Sequence, residues 1–138
     1  MTKQDRELAI DDNISYVAAA IEDVARTRPV SRMVFAGFSQ GVAMAFRAAA
    51  RSSRPVAGVI ALGGDVPPEL DPATLANIRA ALVGRGSDDN WYGAATMASD
   101  VERLRAAGVH VDVARFEGGH EWTREFSRAA ARFLSEQG

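Results

Sequence analysis

Apolar residues recur along the chain with changing period, and each change marks an element. Between residues about 4 and 26, Leu8, Ile10, Ile14, Val17, Ile21 and Val24 fall at helical spacing, with Asp11, Asp12, Glu22 and Asp23 elsewhere. That predicts an amphipathic helix, ended by Thr27-Arg28-Pro29 because proline cannot continue it. Met33 to Ala36 is a short unbroken apolar run, as in a strand covered on both faces. Val42, Met44, Ala45, Ala48 and Ala49 return to helical spacing, to about Arg51. Ser52-Ser53-Arg54-Pro55 is a break, and Val56 to Leu62 is a second apolar strand closed by Gly63-Gly64. Asp65 to Asp71, followed by Pro72, is an irregular loop, with a short helix expected over 73–79.

Ala80 to Val83 reads as a third strand, and Gly84-Arg85-Gly86-Ser87-Asp88-Asp89-Asn90 as a turn beyond it. Tyr92 to Ala107 has Met97, Val101 and Leu104 on one stripe and Gly108 as its stop, which predicts a helix. In Val109 to Phe116 the period drops to two, with Val109, Val111 and Val113 against His110, Asp112 and Ala114. That is a half-exposed strand. Gly118-Gly119-His120 then leads into a last helix from Glu121 to about Glu136, with Trp122, Phe126, Ala129 and Phe133 inward. Strands alternating with helices predict an α/β fold. The expected form is a three-layer α/β/α sandwich around a parallel sheet of about four strands, joined by right-handed crossovers. With 138 residues, no internal repeat and no low-complexity tract, one domain over 1–138 is expected.

Composition narrows the function classes. The chain has 16 Lys+Arg against 18 Asp+Glu, and the basic residues are scattered. There is no electrostatic case for nucleic acid or an anionic membrane as partner. Cysteine is absent, which excludes thiolate nucleophiles and Cys-ligated zinc, and with only two histidines no metal site and no cofactor is expected. The charged start, Met-Thr-Lys-Gln-Asp-Arg-Glu, does not open a signal peptide, and no apolar run reaches membrane-spanning length. The expected location is cytoplasmic.

The candidate chemistry sits where strands end. Gly37-Phe38-Ser39-Gln40-Gly41 matches G-x-S-x-G between an apolar strand and a helix. In that setting the pattern is a nucleophile elbow, a tight turn presenting a serine at the end of a strand. Gly37 and Gly41 are expected where strand and helix pass too close for a Cβ. Sites in parallel α/β sheets form at the carboxyl ends of strands. Asp89 follows the third strand and His120 the fourth. A serine hydroxyl is a poor nucleophile until a base takes its proton; His120 can act as that base, and a carboxylate can fix its tautomer. The backbone N–H of Gln40 would supply half of an oxyanion hole.

Alternatives remain open at several positions. Asp88 competes with Asp89 for the acid, either could cap the next helix, and Asp65 at the end of the second strand is a third candidate. Trp91 and Trp122 are candidates to wall an acyl pocket, against a plain core role. His110 reads as surface. Gly84-Arg85-Gly86 lacks the Lys-Ser/Thr of a phosphate loop and is set aside as a binding motif.

Three motifs together resemble a known group. Gly-Phe-Ser-Gln-Gly at 37–41, Arg-Gly-Ser-Asp-Asp-Asn-Trp-Tyr at 85–92 and Phe-Glu-Gly-Gly-His-Glu at 116–121 are similar to the phospholipase/carboxylesterase family of α/β-hydrolases, with dienelactone-hydrolase-like enzymes as relatives. The order Ser, Asp, His is the one α/β-hydrolases use. The resemblance implies Ser39 as nucleophile, Asp89 as acid, His120 as base, and hydrolysis of small carboxylic esters. Family members carry further strands and a glycine-rich oxyanion loop ahead of the region where this sequence opens. The resemblance therefore implies a truncated α/β-hydrolase fold, its C-terminal portion. From it follow three expectations: the nucleophile strand at a sheet edge, a homodimer through that edge, and weak activity for want of a second oxyanion donor. A non-catalytic or partner-dependent remnant is the competing reading.

Overall fold

The computed structural model describes residues 2–137. Its elements are α1 (Lys3–Thr27), β1 (Val34–Phe38), α2 (Gln40–Ala50), β2 (Val56–Leu62), α3 (Pro72–Leu75), β3 (Ile78–Gly86), α4 (Ala94–Ala106), β4 (His110–Phe116) and α5 (Arg124–Glu136). The strands form one parallel sheet in the order β1-β2-β3-β4. The α/β class, the parallel sheet and its four strands agree with the sequence pattern.

Period-two alternation divides the core. Val59, Ala61, Ala81, Val83 and Val111 face α2 and α4, where Val42, Phe46, Met97 and Leu104 meet them. Ile60, Leu62, Ala80 and Leu82 face the other way, against Phe126, Ala130 and Phe133 of α5. Each face is thus covered by helix, giving three layers. Burying one of the larger side chains among these, Val, Leu, Ile, Phe or Met, stabilises the fold by about 1.5–3 kcal/mol.

Several boundaries differ from the sequence expectation. The helix expected over 73–79 is only the four residues of α3, since Ile78 is drawn into the sheet opposite Val56. Asn77 fixes that exit by donating from Nδ2 to the Ala49 carbonyl oxygen at 3.1 Å. β3 runs through Gly84-Arg85-Gly86, which pair with Ala114, Arg115 and Phe116 instead of turning. The Phe126 ring packs where a Gly84 side chain would stand, so the glycine there serves packing. The last helix begins at Arg124, not Glu121, because Thr123 caps it by accepting from the Phe126 N–H at 3.2 Å. Trp122 therefore precedes the helix, and Ala130, not Ala129, is its buried alanine.

α1 packs only its middle against the rest. Ile10, Ile14, Val17 and Ile21 are half-buried, while Leu8 and Val24, expected on the same inner stripe, are exposed. Arg51–Asp11 (3.2 Å) and Arg54–Glu22 (2.8 Å) tie it to α2 and the segment after it. Among the described residues no helix is long and apolar enough to cross a membrane.

β1 is an edge strand. Met33 accepts from Ala57 on β2, and Ser39 donates to Leu62. Alternate residues of a strand point their backbone groups to opposite sides. Hence the N–H and C=O groups of Val34, Ala36 and Phe38 face away from β2. None of the five β1 residues is fully buried. Beside this edge lies an apolar groove of about 520 Å³, lined by Tyr16, Val17, Val24, Val30, Met33 and Phe35 among others.

Candidate active site

The site is assembled by the ends of β1, β3 and β4. β1 ends in Ser39, whose φ of 57° and ψ of −118° place it in the left-handed half of the backbone map. Among the described residues it is the only non-glycine with positive φ. Such a conformation costs about 1–3 kcal/mol and persists only where the surroundings enforce it. Here the enforcement comes from both sides of the turn. The Ser39 N–H donates to the Leu62 carbonyl oxygen at 2.9 Å, and its own carbonyl oxygen accepts from the Val42 N–H at 3.1 Å. A Cβ on Gly37 would overlap the Gly41 carbonyl, so only glycine lets the helix double back over the strand. The matching expectation for Gly41 is corrected: it is exposed, and a Cβ there meets nothing within 4 Å.

The second loop carries Asp89. Its turn is bound to the loop after β4: the Ser87 N–H donates to the Phe116 carbonyl oxygen and the Asp88 N–H to that of Gly118, both at 2.8 Å. The loops touch because Gly86 has no side chain; a Cβ there would overlap the Gly118 and Gly119 carbonyl oxygens. Asp89 itself is buried at 4% exposure. Its Oδ1 accepts the N–H groups of Trp91 (2.8 Å) and Tyr92 (2.9 Å). These two residues thus belong to the turn, and α4 starts only at Ala94. The Tyr92 hydroxyl donates to Asp100 at 2.7 Å, anchoring the far end of the turn in the core.

Three of the sequence candidates come together. His120 Nδ1 lies 2.9 Å from Asp89 Oδ2, and His120 Nε2 lies 2.8 Å from Ser39 Oγ. Burial pushes the Asp89 carboxyl up. The Tyr92 N–H, the His120 ring and the Trp91 N–H outweigh burial and hold it below the usual carboxylate value. An ionised carboxylate only accepts, so Nδ1 carries the proton. Nε2 then presents its lone pair to Ser39, whose hydroxyl donates to it. That arrangement can move a proton from Oγ to the ring and stabilise the resulting imidazolium.

The other candidates lie apart. Asp88 and Asp65 are exposed, and neither carboxylate is a partner of His120. His110 is exposed on β4, 3.3 Å from Asp112. Gln40 opens α2, where the first N–H groups of a helix have no intrahelical acceptor and carry partial positive charge. Trp91 is 85% exposed, with its ring centroid 6.3 Å from that of His120. Trp122 turns instead to α5. It stacks edge-on against Phe126 at 4.9 Å, and its Nε1–H donates to Ser127 Oγ at 2.7 Å. Phe38, not singled out from the sequence, lies nearer the imidazole, with ring centroids 5.0 Å apart. Its signal was its place directly before the serine in an apolar strand.

No curated protein matches this sequence. Among solved structures, Arabidopsis thaliana SOBER1 superposes with a TM-score of 0.77 at 18% identity, over 93% of this chain and 64% of that one. A protein of unknown function from Agrobacterium tumefaciens gives 0.76 at 20% identity, over 96% and 65%. The Bacillus cereus carboxylesterase gives 0.73 at 17% identity, over 94% and 62%. The chain thus spans a little under two thirds of the length of each of these three neighbours. The Phospholipase/Carboxylesterase family pattern matches residues 1–137. With nearly every residue inside that match and the parallel sheet of its structural neighbours, the chain belongs to the phospholipase/carboxylesterase family.

Proposed function

We propose that the chain carries the reacting groups of a serine hydrolase that cleaves small carboxylic esters. The observation that supports this reading is the hydrogen-bonded series Ser39–His120–Asp89, 2.8 and 2.9 Å, behind a serine held at positive φ. In this reading Ser39 Oγ attacks the ester carbonyl carbon while His120 Nε2 takes its proton. The oxygen of the tetrahedral intermediate becomes negative beside the Gln40 N–H. Collapse expels the alcohol, which leaves with the proton from His120, and the acyl group stays on Ser39. Water then repeats the sequence and releases the acid. Asp89 stays ionised throughout and stabilises the imidazolium. Phe38 and Trp91, both exposed and both near the His120 ring, offer apolar surface to the substrate. Small esters as substrates and a cytoplasmic location complete the reading.

An active-site fluorophosphonate should phosphonylate the protein once, and mass mapping should place the adduct on Ser39. Labelling elsewhere, or none at all, would leave the non-catalytic or partner-dependent reading, which the single identified oxyanion donor favours. One such donor is worth roughly 10² to 10³ in kcat, so turnover supported by the Gln40 N–H as sole donor is expected to be slow.

The open β1 edge and its apolar groove support a second proposal, a homodimer joined at that edge. Exposed edges of this kind template pairing with another strand. Sedimentation should give a dimer that Ala36→Pro weakens, since proline removes one of the outward N–H groups. A monomer at all concentrations ends this proposal.

A further inference from the structure

The turn that carries Asp89 is held from behind by an arginine for which the proposed chemistry has no use. Arg85 lies near the carboxyl end of β3 and is 9% exposed. Its Nε–H donates to the Tyr92 carbonyl oxygen at 2.8 Å, and Nη2–H to that of Asp89 at 3.0 Å. A longer contact joins Nη2 to the Ser87 carbonyl oxygen at 3.4 Å. One guanidinium therefore gathers three carbonyl groups of a single turn. Among the described residues no carboxylate lies within ion-pair distance of it.

A buried cation without a counter-ion is a poor device for stability, because an apolar side chain of similar volume often fills the space at lower free energy. What a guanidinium supplies is geometry. Its donors form a rigid planar fork, and here they hold the backbone at both ends of the segment from Asp89 to Tyr92. With that backbone fixed, Asp89 Oδ1 is taken by the Trp91 and Tyr92 N–H groups. Oδ2 is left directed at His120 Nδ1.

We infer that Arg85 is a positioning residue for the acid: its fork fixes the 87–92 turn and thereby sets the Asp89 carboxylate against His120. The kinetic side of this inference rests on the proposed hydrolase reading; the structural side does not. Lysine keeps the charge but cannot span both carbonyl positions as a planar fork, and glutamine keeps donors without the charge.

The test uses the whole chain with Arg85→Lys and Arg85→Gln. In the wild type, proton NMR should show a far-downfield resonance from His120 Nδ1–H. In both variants that resonance should move upfield or broaden, while circular dichroism stays the same. The rate of Ser39 phosphonylation should fall about 10²-fold, the scale of loss for a small misplacement of a reacting group. Added to Asp89→Asn, Arg85→Lys should produce no further fall, because it acts through Asp89.

The inference is overturned by an unchanged His120 resonance in the folded variants, by its absence from the wild type, or by losses that multiply with Asp89→Asn. Failure of both variants to fold also overturns it, since Arg85 is then a core element. If the fluorophosphonate never labels the wild type, the hydrolase reading fails alone, and the resonance still decides the role of Arg85.

Discussion

Ser39→Ala is expected to remove hydrolysis of p-nitrophenyl acetate, with a loss in kcat on the order of 10⁴ or more and an unchanged circular dichroism spectrum. The reasoning joins the backbone to the chemistry. Alanine has the same Cβ as serine, so the strained φ of 57° is no worse for it, and the turn is still enforced by the Leu62 and Val42 contacts. The lost side-chain hydrogen bond to His120 leaves a ring that is 21% exposed and can find water. A net change of about 1 kcal/mol in stability is the scale for one such bond. In the proposed reading the chemical loss is far larger, because Ser39 Oγ, the hydroxyl bonded to His120 Nε2, is the atom that forms the acyl intermediate. Activity in the variant equal to the wild type would remove the esterase reading.

Asp89→Asn should cost about 10⁴ in kcat, the scale for removing the charge of the orienting carboxylate from such a series. The substitution is nearly isosteric, and the fold has a use for the asparagine. Its Oδ1 can keep both N–H partners, Trp91 and Tyr92, which places its NH₂ group against His120 Nδ1. A donor facing Nδ1 forces the ring proton onto Nε2, where the lone pair for Ser39 had been. The base is thus held in the wrong tautomer without any disruption of the core. Stability should respond separately. The folded-state pKa of Asp89 is depressed, so its ionised form stabilises the fold above the ordinary carboxylate value, and that contribution is lost as pH falls through the depressed value. Asp89→Asn should lack this part of the acid limb in urea titrations followed across pH. Asp88→Asn, exposed and away from the ring, serves as control; if it carries the kinetic loss instead, the acid is misassigned.

How far the sequence reached can be judged residue by residue. The apolar runs at Met33–Ala36 and Val56–Leu62 announced strands, because a run without a polar period reads as sheet interior; coverage on both faces holds for β2 but not for β1, where Ala36 and Phe38 are exposed. Strand, serine and helix in immediate succession also announced the elbow. The two neighbouring aspartates did not sort themselves, because local pattern carries no information on which carboxylate faces inward. That depends on the Arg85 fork and on contacts with a loop about thirty residues further on. Arg85 was passed over because Gly-Arg-Gly reads as a turn when the strand on its far side is not known. Asp100 left a usable signal: it lies three residues after Met97 and one before Val101, on the buried stripe of α4. A carboxylate there implies a buried partner, which proved to be Tyr92. α1 misled differently, since its stripe is wider than the surface α2 offers it.

The one-sided pairing of β1 has a consequence for the order in which the molecule fails. Regions of a fold open with separate free energies, lowest where few backbone groups are protected and little apolar surface is buried. Asp89 is carried by β3, which has a neighbour on each side, and His120 follows β4, the other edge strand, whose seven residues pair with β3. Ser39 hangs on the shorter of the two edge strands, five residues laddered to β2 with none of them fully buried. Warming or mild denaturant is therefore expected to release Ser39 first, while Asp89 and His120 still face each other in an intact remainder. If the proposed hydrolase reading holds, inactivation should precede the loss of ellipticity, and anything that binds along the β1 edge should raise the population of the state with Ser39 in place by mass action. Reactivity at Ser39 becomes a function of how much of that binder is present.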